Sequence, residues 1–284
     1  TTKKYKKIIN QTISDIEISN FFEMQKKDQG EIVIKHLNTM LKKNQNDILI
    51  ISLLGTFYSL EKNYNKAIYF QKKAIEKAPF ELSFYQNLAI TLRQQDKNID
   101  ALSMLYFAKI LSLNNKSIDF EIAKLYTLIK NYKASDFIFS NLIKDKDLTE
   151  EIIYHYCMNL IDWKKESQAI SFLKKINNYT ETKNLLLGLA NYKLNNFESA
   201  KICFLEAIKV NKNSFVAYSH LGNCYLGLGF LDKAENCQKK SLKISPKNSI
   251  AMNNLGAFFS LNNCRPVAMR LLPPVSTIIA SGFW

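Results

Sequence analysis

Apolar residues return along this chain at helical spacing, in pairs of short segments. In FVAYSHLGNCYLGLG, Phe215 to Gly229, the residues Phe215, Tyr218, Leu221 and Tyr225 follow one another at three or four positions, the period of one helix face. In LDKAENCQKKSLKI, from Leu231 to Ile244, the residues Leu231, Ala234, Cys237, Leu242 and Ile244 do so approximately. A turn carrying Gly229 separates the two segments, and Pro246 closes the pair because proline cannot continue a helix. The pattern predicts two helices joined by a tight turn.

The pair belongs to a series. Steps of 34 residues, with a single step of 31, connect Phe21, Gly55, Ala89, Ala123, Cys157, Gly188, Gly222 and Gly256. A second phase with the same steps connects Val33, Ala67, Ala101, Ser135, Ala169, Ala200, Ala234 and Ala268. A third, less regular phase includes Ala74, Ala108, Ala207 and Ser241. Such self-similarity is the mark of a stacked repeat. A residue without bulk at the first site lets a neighbouring backbone approach, and the small residue at the second site receives it. Aromatics such as Tyr58, Tyr126, Phe204 and Tyr225 are expected to fill the spaces between repeats, since one helix pair cannot bury its apolar face alone. Asn63, Asp96–Asn98, Asn131 and Asn195–Asn196 lie in the turns within repeats, where Asn and Asp are expected to cap the second helix.

This pattern resembles the tetratricopeptide repeat family. The resemblance covers residues 14 to 263 and is best in LLGTFYSLEKNYNKAIYFQKKAIEKAP (Leu53 to Pro79), LLLGLANYKLNNFESAKICFLEAIKVN (Leu185 to Asn211) and the segment just read. It implies an all-α fold, an α-α superhelix: a right-handed solenoid of about eight antiparallel helix pairs. The repeats are expected at 14–47, 48–81, 82–115, 116–149, 150–180, 181–214, 215–248 and, in part, 249–263, after a basic segment 1–13 and before a divergent tail 264–284. Phe21 breaks the small-site rule, so the first repeat is degenerate or a cap. The fifth repeat lacks three residues, which predicts a short second helix. From Cys264 the sequence CRPVAMRLLPPVSTIIASGFW holds no Lys, Asn, Asp or Glu. That shift reads as a changed reading frame, an artificial junction or the edge of a further domain. An opening Thr1 rather than Met suggests that the natural start lies upstream.

Composition narrows the function. The net charge is +14, but Lys supplies nearly all of it and Arg occurs only at Arg93, Arg265 and Arg270. Arg is the better fork for phosphates and bases, so a nucleic-acid role is not expected. Five cysteines, none in a C-x-x-C pair, fit a reduced, cytoplasmic chain. Neither a signal peptide nor a membrane-spanning run is visible. His36, His155 and His220 fall in different repeats, outside any metal-ligand spacing. GLGF at Gly227 follows a helix rather than a strand and lacks the Lys of a phosphate loop. Glu150 and Glu151 follow Thr149 at a helix start, where they complement the helix dipole. No catalytic constellation, cofactor or metal site is expected.

The resemblance therefore implies a non-catalytic scaffold that binds a peptide or partner helix on an inner wall built by the first helix of each repeat. Wall residues are expected three before, two before and one after each first small site. This selects Tyr154, His155, Met158, Leu185, Leu186 and Leu189, with Tyr192 a turn further on, as an apolar zone. It selects Ser219, His220, Asn223, Asn253 and Asn254 as a polar zone, with Asn87 in the same phase as Asn254. The other reading open at this stage is the repeat region of a larger modular enzyme, such as a glycosyltransferase or sulfotransferase, whose catalytic domain follows the array.

Overall fold

Most first helices open on a side chain that can accept from the free N–H groups of the first turn. Asp47 accepts from Leu49 and Ile50, Asn115 from Ser117, Thr149 from Ile152, Thr180 from Lys183 and Ser214 from Ala217, at 3.0–3.3 Å. Ser14 and Glu17 form a complete capping box. The computed structural model describes residues 13–113, 115–144, 148–177, 180–247, 252–254 and 256. The first helices are α1 (Asp15–Lys26), α3 (Ile48–Leu60), α5 (Leu82–Gln94), α7 (Lys116–Leu128), α9 (Glu150–Asp162), α11 (Glu181–Lys193) and α13 (Phe215–Gly227). Their partners are α2 (Gly30–Lys43), α4 (Tyr64–Lys77), α6 (Asn98–Leu111), α8 (Tyr132–Leu142), α10 (Glu166–Lys174), α12 (Phe197–Val210) and α14 (Leu231–Ile244). Residues 252–254 are also helical, and no strand occurs among the described residues. The fold is all-α, a succession of packed antiparallel helix pairs. At nine residues α10 is short against the fourteen of α12, where the sequence lacks three residues. The basic segment up to residue 12 and the tail from Cys264 lie outside the described residues, as does Ala268.

The turn inside each repeat differs from its sequence expectation. Of the expected side-chain caps, Asn63 accepts from Lys66 and Asn131 from Ala134, but Asn196 makes no such bond and the residue before α6 is Lys97. The regular device is a backbone one. Asp28, Lys62, Asp96, Lys130, Lys164, Asn195 and Gly229, one per repeat, are left-handed with φ between 57° and 81°. The residue after each donates its N–H to the carbonyl five positions back, as in Asn63 to Tyr58 and Phe230 to Tyr225, both 2.8 Å. The left-handed residue itself bonds three back, as Lys62 does to Ser59 at 3.0 Å. This Schellman pair of bonds satisfies the orphan carbonyls at the end of the first helix. It holds even where lysine bears the roughly 1–2 kcal/mol cost of a left-handed backbone.

The small sites act as the spacing requires. A methyl group at Gly188 would stand 2.6–2.8 Å from three atoms of the Phe204 ring, and one at Gly55 would stand 2.7 Å from Cγ of Gln71. In both cases the facing residue lies sixteen positions on. In the same phase stand Leu105, Phe139, Leu173 and Gln238, all buried. Leu or Phe fits this dry slot, whereas Gln71 and Gln238 must find partners. Gln71 Nε2 donates to Thr91 Oγ1 at 2.8 Å, and Gln238 Nε2 donates to the Ser219 carbonyl at 3.0 Å and to Asn223 Oδ1 at 3.1 Å.

The chain divides into two compact units, Thr1–Ile138 and Phe139–Trp284. In the first, one cluster gathers Phe21, Val33, Leu37, Leu54 and Phe57, and another gathers Leu88, Leu92, Leu105, Ile118 and Ile122. In the second, Cys157, Leu173 and Leu186 form one cluster, Leu160, Ala169 and Ala190 another, and Ala200, Phe204, Leu221 and Cys224 a third.

Candidate functional site

In the second unit the first helices touch one another in turn, α9 to α11 and α11 to α13, while α10, α12 and α14 make no comparable contacts among themselves. Helices that meet across successive repeats form the closer-spaced row of the stack. The row α9–α11–α13 is therefore the inner one in this unit, and its solvent-facing side chains are the candidate site.

The residues selected from the sequence fall into three groups. Tyr154 is 44% exposed on α9, while Met158 and Leu189 are half-buried, Met158 against the Cys157 cluster and Leu189 against the Leu160 cluster. The Tyr154 ring stands edge-on to His155, which is half-buried, with centroids 5.2 Å apart. Asn223 is half-buried, and its Oδ1 accepts from Gln238 at 3.1 Å. Leu185 and Tyr192 pack against the Phe204 and Leu221 cluster, and Tyr192 also meets Phe197 with ring centroids 5.4 Å apart. His220 lies nearly parallel to the Phe204 ring at 5.3 Å. Burial, then repulsion from Lys193, pulls the His220 pKa below its ordinary value, so the neutral ring is favoured. Leu186, 2% exposed, and Ser219 are buried, and no partner can reach their side chains. Asn254 is half-buried and Asn253 exposed, while Asn87 is half-buried on α5 of the first unit.

Cationic side chains on the first helices of the first unit are already paired. Arg93 and Lys124 both face Glu121, at 3.6 and 2.7 Å. Beside them a cavity of about 210 Å³ opens over Ala89, Ile90, Leu105 and Leu125. Among the described residues no group of three or more His, Cys, Asp or Glu could hold a metal ion. Burial pushes the thiols of Cys157 and Cys224 up to about 12 and that of Cys237 to about 11, which removes their nucleophilic thiolate near neutral pH.

Two stretches, residues 184–214 and 216–248, match the family model for the tetratricopeptide repeat. They coincide with α11–α12 and α13–α14, whose small sites are Gly188 with Ala200 and Gly222 with Ala234. These two stretches are tetratricopeptide repeats. Solved structures agree with the fold of the remainder. A tetratricopeptide repeat protein from Parabacteroides merdae is 11% identical with a TM-score of 0.66, over 85% of this chain and 97% of that one. The C-terminal part of a repeat-containing protein from Cytophaga hutchinsonii is 15% identical with a TM-score of 0.60, over 84% and 99%. A chain of the APC/C hetero-tetramer Cut9–Hcn1 is 13% identical with a TM-score of 0.58, over 88% of this chain and 50% of that one. No curated protein matches the sequence. Among the described residues of this repeat protein no helix is long and apolar enough to cross a membrane.

Proposed function

We propose that this repeat protein is a non-catalytic interaction scaffold whose inner row α9–α11–α13 binds an extended peptide or a partner helix. The observation that carries the reading is the row itself. The exposed Tyr154 and the half-buried Met158, Leu189 and Asn223 lie on successive helices of this row, which supports an apolar zone followed by a polar one. Apolar side chains of the partner would anchor on the first three, and a partner carbonyl would accept from Asn223, with Asn253 and Asn254 continuing the polar zone. Leu185, Tyr192 and His220 support the wall from behind. The similar fold within the Cut9–Hcn1 hetero-tetramer supports a role in assembly. The pairing of Arg93 and Lys124 with Glu121 leaves little free positive charge there for phosphates, which supports a protein partner over nucleic acid. The four free thiols among the described residues, buried or half-buried, suit a reduced cytoplasmic setting.

The test is selection of binding peptides from a displayed random library on the full chain, followed by titration against variants. Asn223→Ala combined with Met158→Ser should weaken the selected peptides at least about tenfold, or about 1.4 kcal/mol, with the helical circular dichroism unchanged. Peptides that bind this variant as well as the native chain would remove the site from the inner row.

A further inference from the structure

The second helix of the third repeat, α6, has an outer face unlike its counterparts. Ile99, Tyr106, Phe107, Ile110 and Leu113 are 63, 40, 52, 73 and 93% exposed. Together with Ser103 they form one continuous stripe on this helix and the turn after it, with Asp100 at one edge and Lys109, paired with Asp119 at 2.5 Å, at the other. The repeat supplies its own controls. Where α6 has Ile99, the other repeats place Asn65, Lys133, Glu198 and Asp232; where it has Phe107, they place Lys73, Asn141, Glu206 and Lys240. Where it has Ile110, they place Glu76, Lys144, Lys209 and Lys243. At these three positions the apolar residues are confined to one repeat, whereas in the phase of Ser103 the exposed apolar residues Tyr69, Phe137 and Ile202 stand on α4, α8 and α12. With roughly 150–250 Å² for a large side chain, the exposed portions amount to roughly 500–800 Å², at or above the upper end for a monomer's apolar patch.

We propose that the outer face of α6 is a second docking surface, distinct from the inner row, and that its occupant is an acidic amphipathic helix of a partner protein. The stripe is one helix wide and about 20 Å long, the size of a partner helix's apolar face. On the preceding second helix, α4, stand Lys72 and Lys73, with Lys73 in the phase of Phe107, while Lys66 lies over the Tyr58 ring and Lys77 donates to Asn46 Oδ1. A partner with apolar residues at helical spacing and carboxylates on that flank would satisfy both features. A second copy of the chain fits less well. Antiparallel pairing of two α6 helices about a two-fold axis would set the two lysine-rich α4 helices against each other, in chains that each carry +14.

The test uses the full chain and a fluorescein-labelled synthetic helix of about 18 residues, with Leu at i, i+3, i+4 and i+7 and Glu elsewhere. A twin peptide carries Lys in place of Glu. Fluorescence anisotropy should show saturable binding of the Glu helix, weakened by salt, and at least about tenfold weaker binding of the Lys twin. The variant Ile99→Gln/Phe107→Gln/Ile110→Gln should lose at least about tenfold in affinity. Lys72→Glu/Lys73→Glu should weaken the Glu helix and strengthen the Lys twin. All five positions reach solvent, so both variants should keep native circular dichroism, and an effect in the lysine variant stands even if the glutamine variant misfolds. Asn223→Ala should leave this binding unchanged, which separates it from the inner row. Equal binding of the two peptides, or unchanged binding by the glutamine variant, overturns the proposal. So does dimerisation by light scattering that the glutamine variant abolishes, which would make a second copy the occupant. Flotation with phosphatidylserine vesicles, lost in that variant while the Glu helix fails to bind, would assign the stripe to a membrane surface.

Discussion

Replacing Gly188 by alanine tests whether the small site is a steric requirement of the fold. The added methyl group would stand 2.6–2.8 Å from Cδ1, Cε1 and Cζ of the Phe204 ring. Phe204 is fully buried, between Gly188 on one side and the His220 ring on the other, and cannot swing away without displacing the next repeat. Overpacking of this kind costs about 1–3 kcal/mol. Alanine in mid-helix recovers about 1 kcal/mol of propensity over glycine. The expected net destabilisation is therefore about 0–2 kcal/mol, centred near 1. The single variant does not separate the two effects, so the measurement is a double-mutant cycle with Phe204→Leu, which removes part of the ring that the methyl group meets. If the contact is real, the double variant is less destabilised than the sum of the singles by at least about 0.5 kcal/mol. Urea unfolding followed by circular dichroism supplies the energies. Hydrogen exchange of the α11 and α12 amides shows whether the loss is local, as a stack of nearest-neighbour units requires. Strict additivity within about 0.3 kcal/mol would refute the steric account of the repeat's spacing.

Three further outcomes follow from the geometry. Changing Lys62, Lys130 and Lys164 to glycine should raise the melting temperature, because each gives up about 1 kcal/mol of left-handed strain against a smaller gain in unfolded-chain entropy; an unchanged or lower melting point would contradict the strain. His220 binds a proton less readily folded than unfolded, so its contribution is complete above the ordinary histidine pKa and is lost as pH falls below it. Stability measured from about pH 7 to about pH 5 should thus fall less in His220→Phe than in the native chain, and equal slopes would deny the shift. The thiols of Cys157 and Cys224 should react with a disulfide reagent at pH 8 only as fast as the chain unfolds; prompt modification of both in the native state would show that they are not buried as described.

The period, the helix pairs, the short α10 and the two small sites were legible in the sequence because each rests on local spacing and on side-chain volume, which a single chain displays directly. Thr149 announced its helix start for the same reason. The left-handed turn was not legible: lysine carries no signature of positive φ, and Lys62, Lys130 and Lys164 adopt it because two backbone hydrogen bonds outweigh the strain. The split of the predicted wall was also hidden. Leu186 and Leu189 are both leucine on one helix, yet Leu186 is sealed with Cys157 and Leu173 while Leu189 is half-buried against Leu160, Ala169 and Ala190, and only the packed neighbours decide between them. The outer stripe of α6 lay in the sequence for anyone who aligned the repeats at Ile99, Phe107 and Ile110, but its meaning did not. An apolar residue in a string of letters is assigned to the core by default, and it takes the packed neighbours, which already fill that core without it, to leave it facing water.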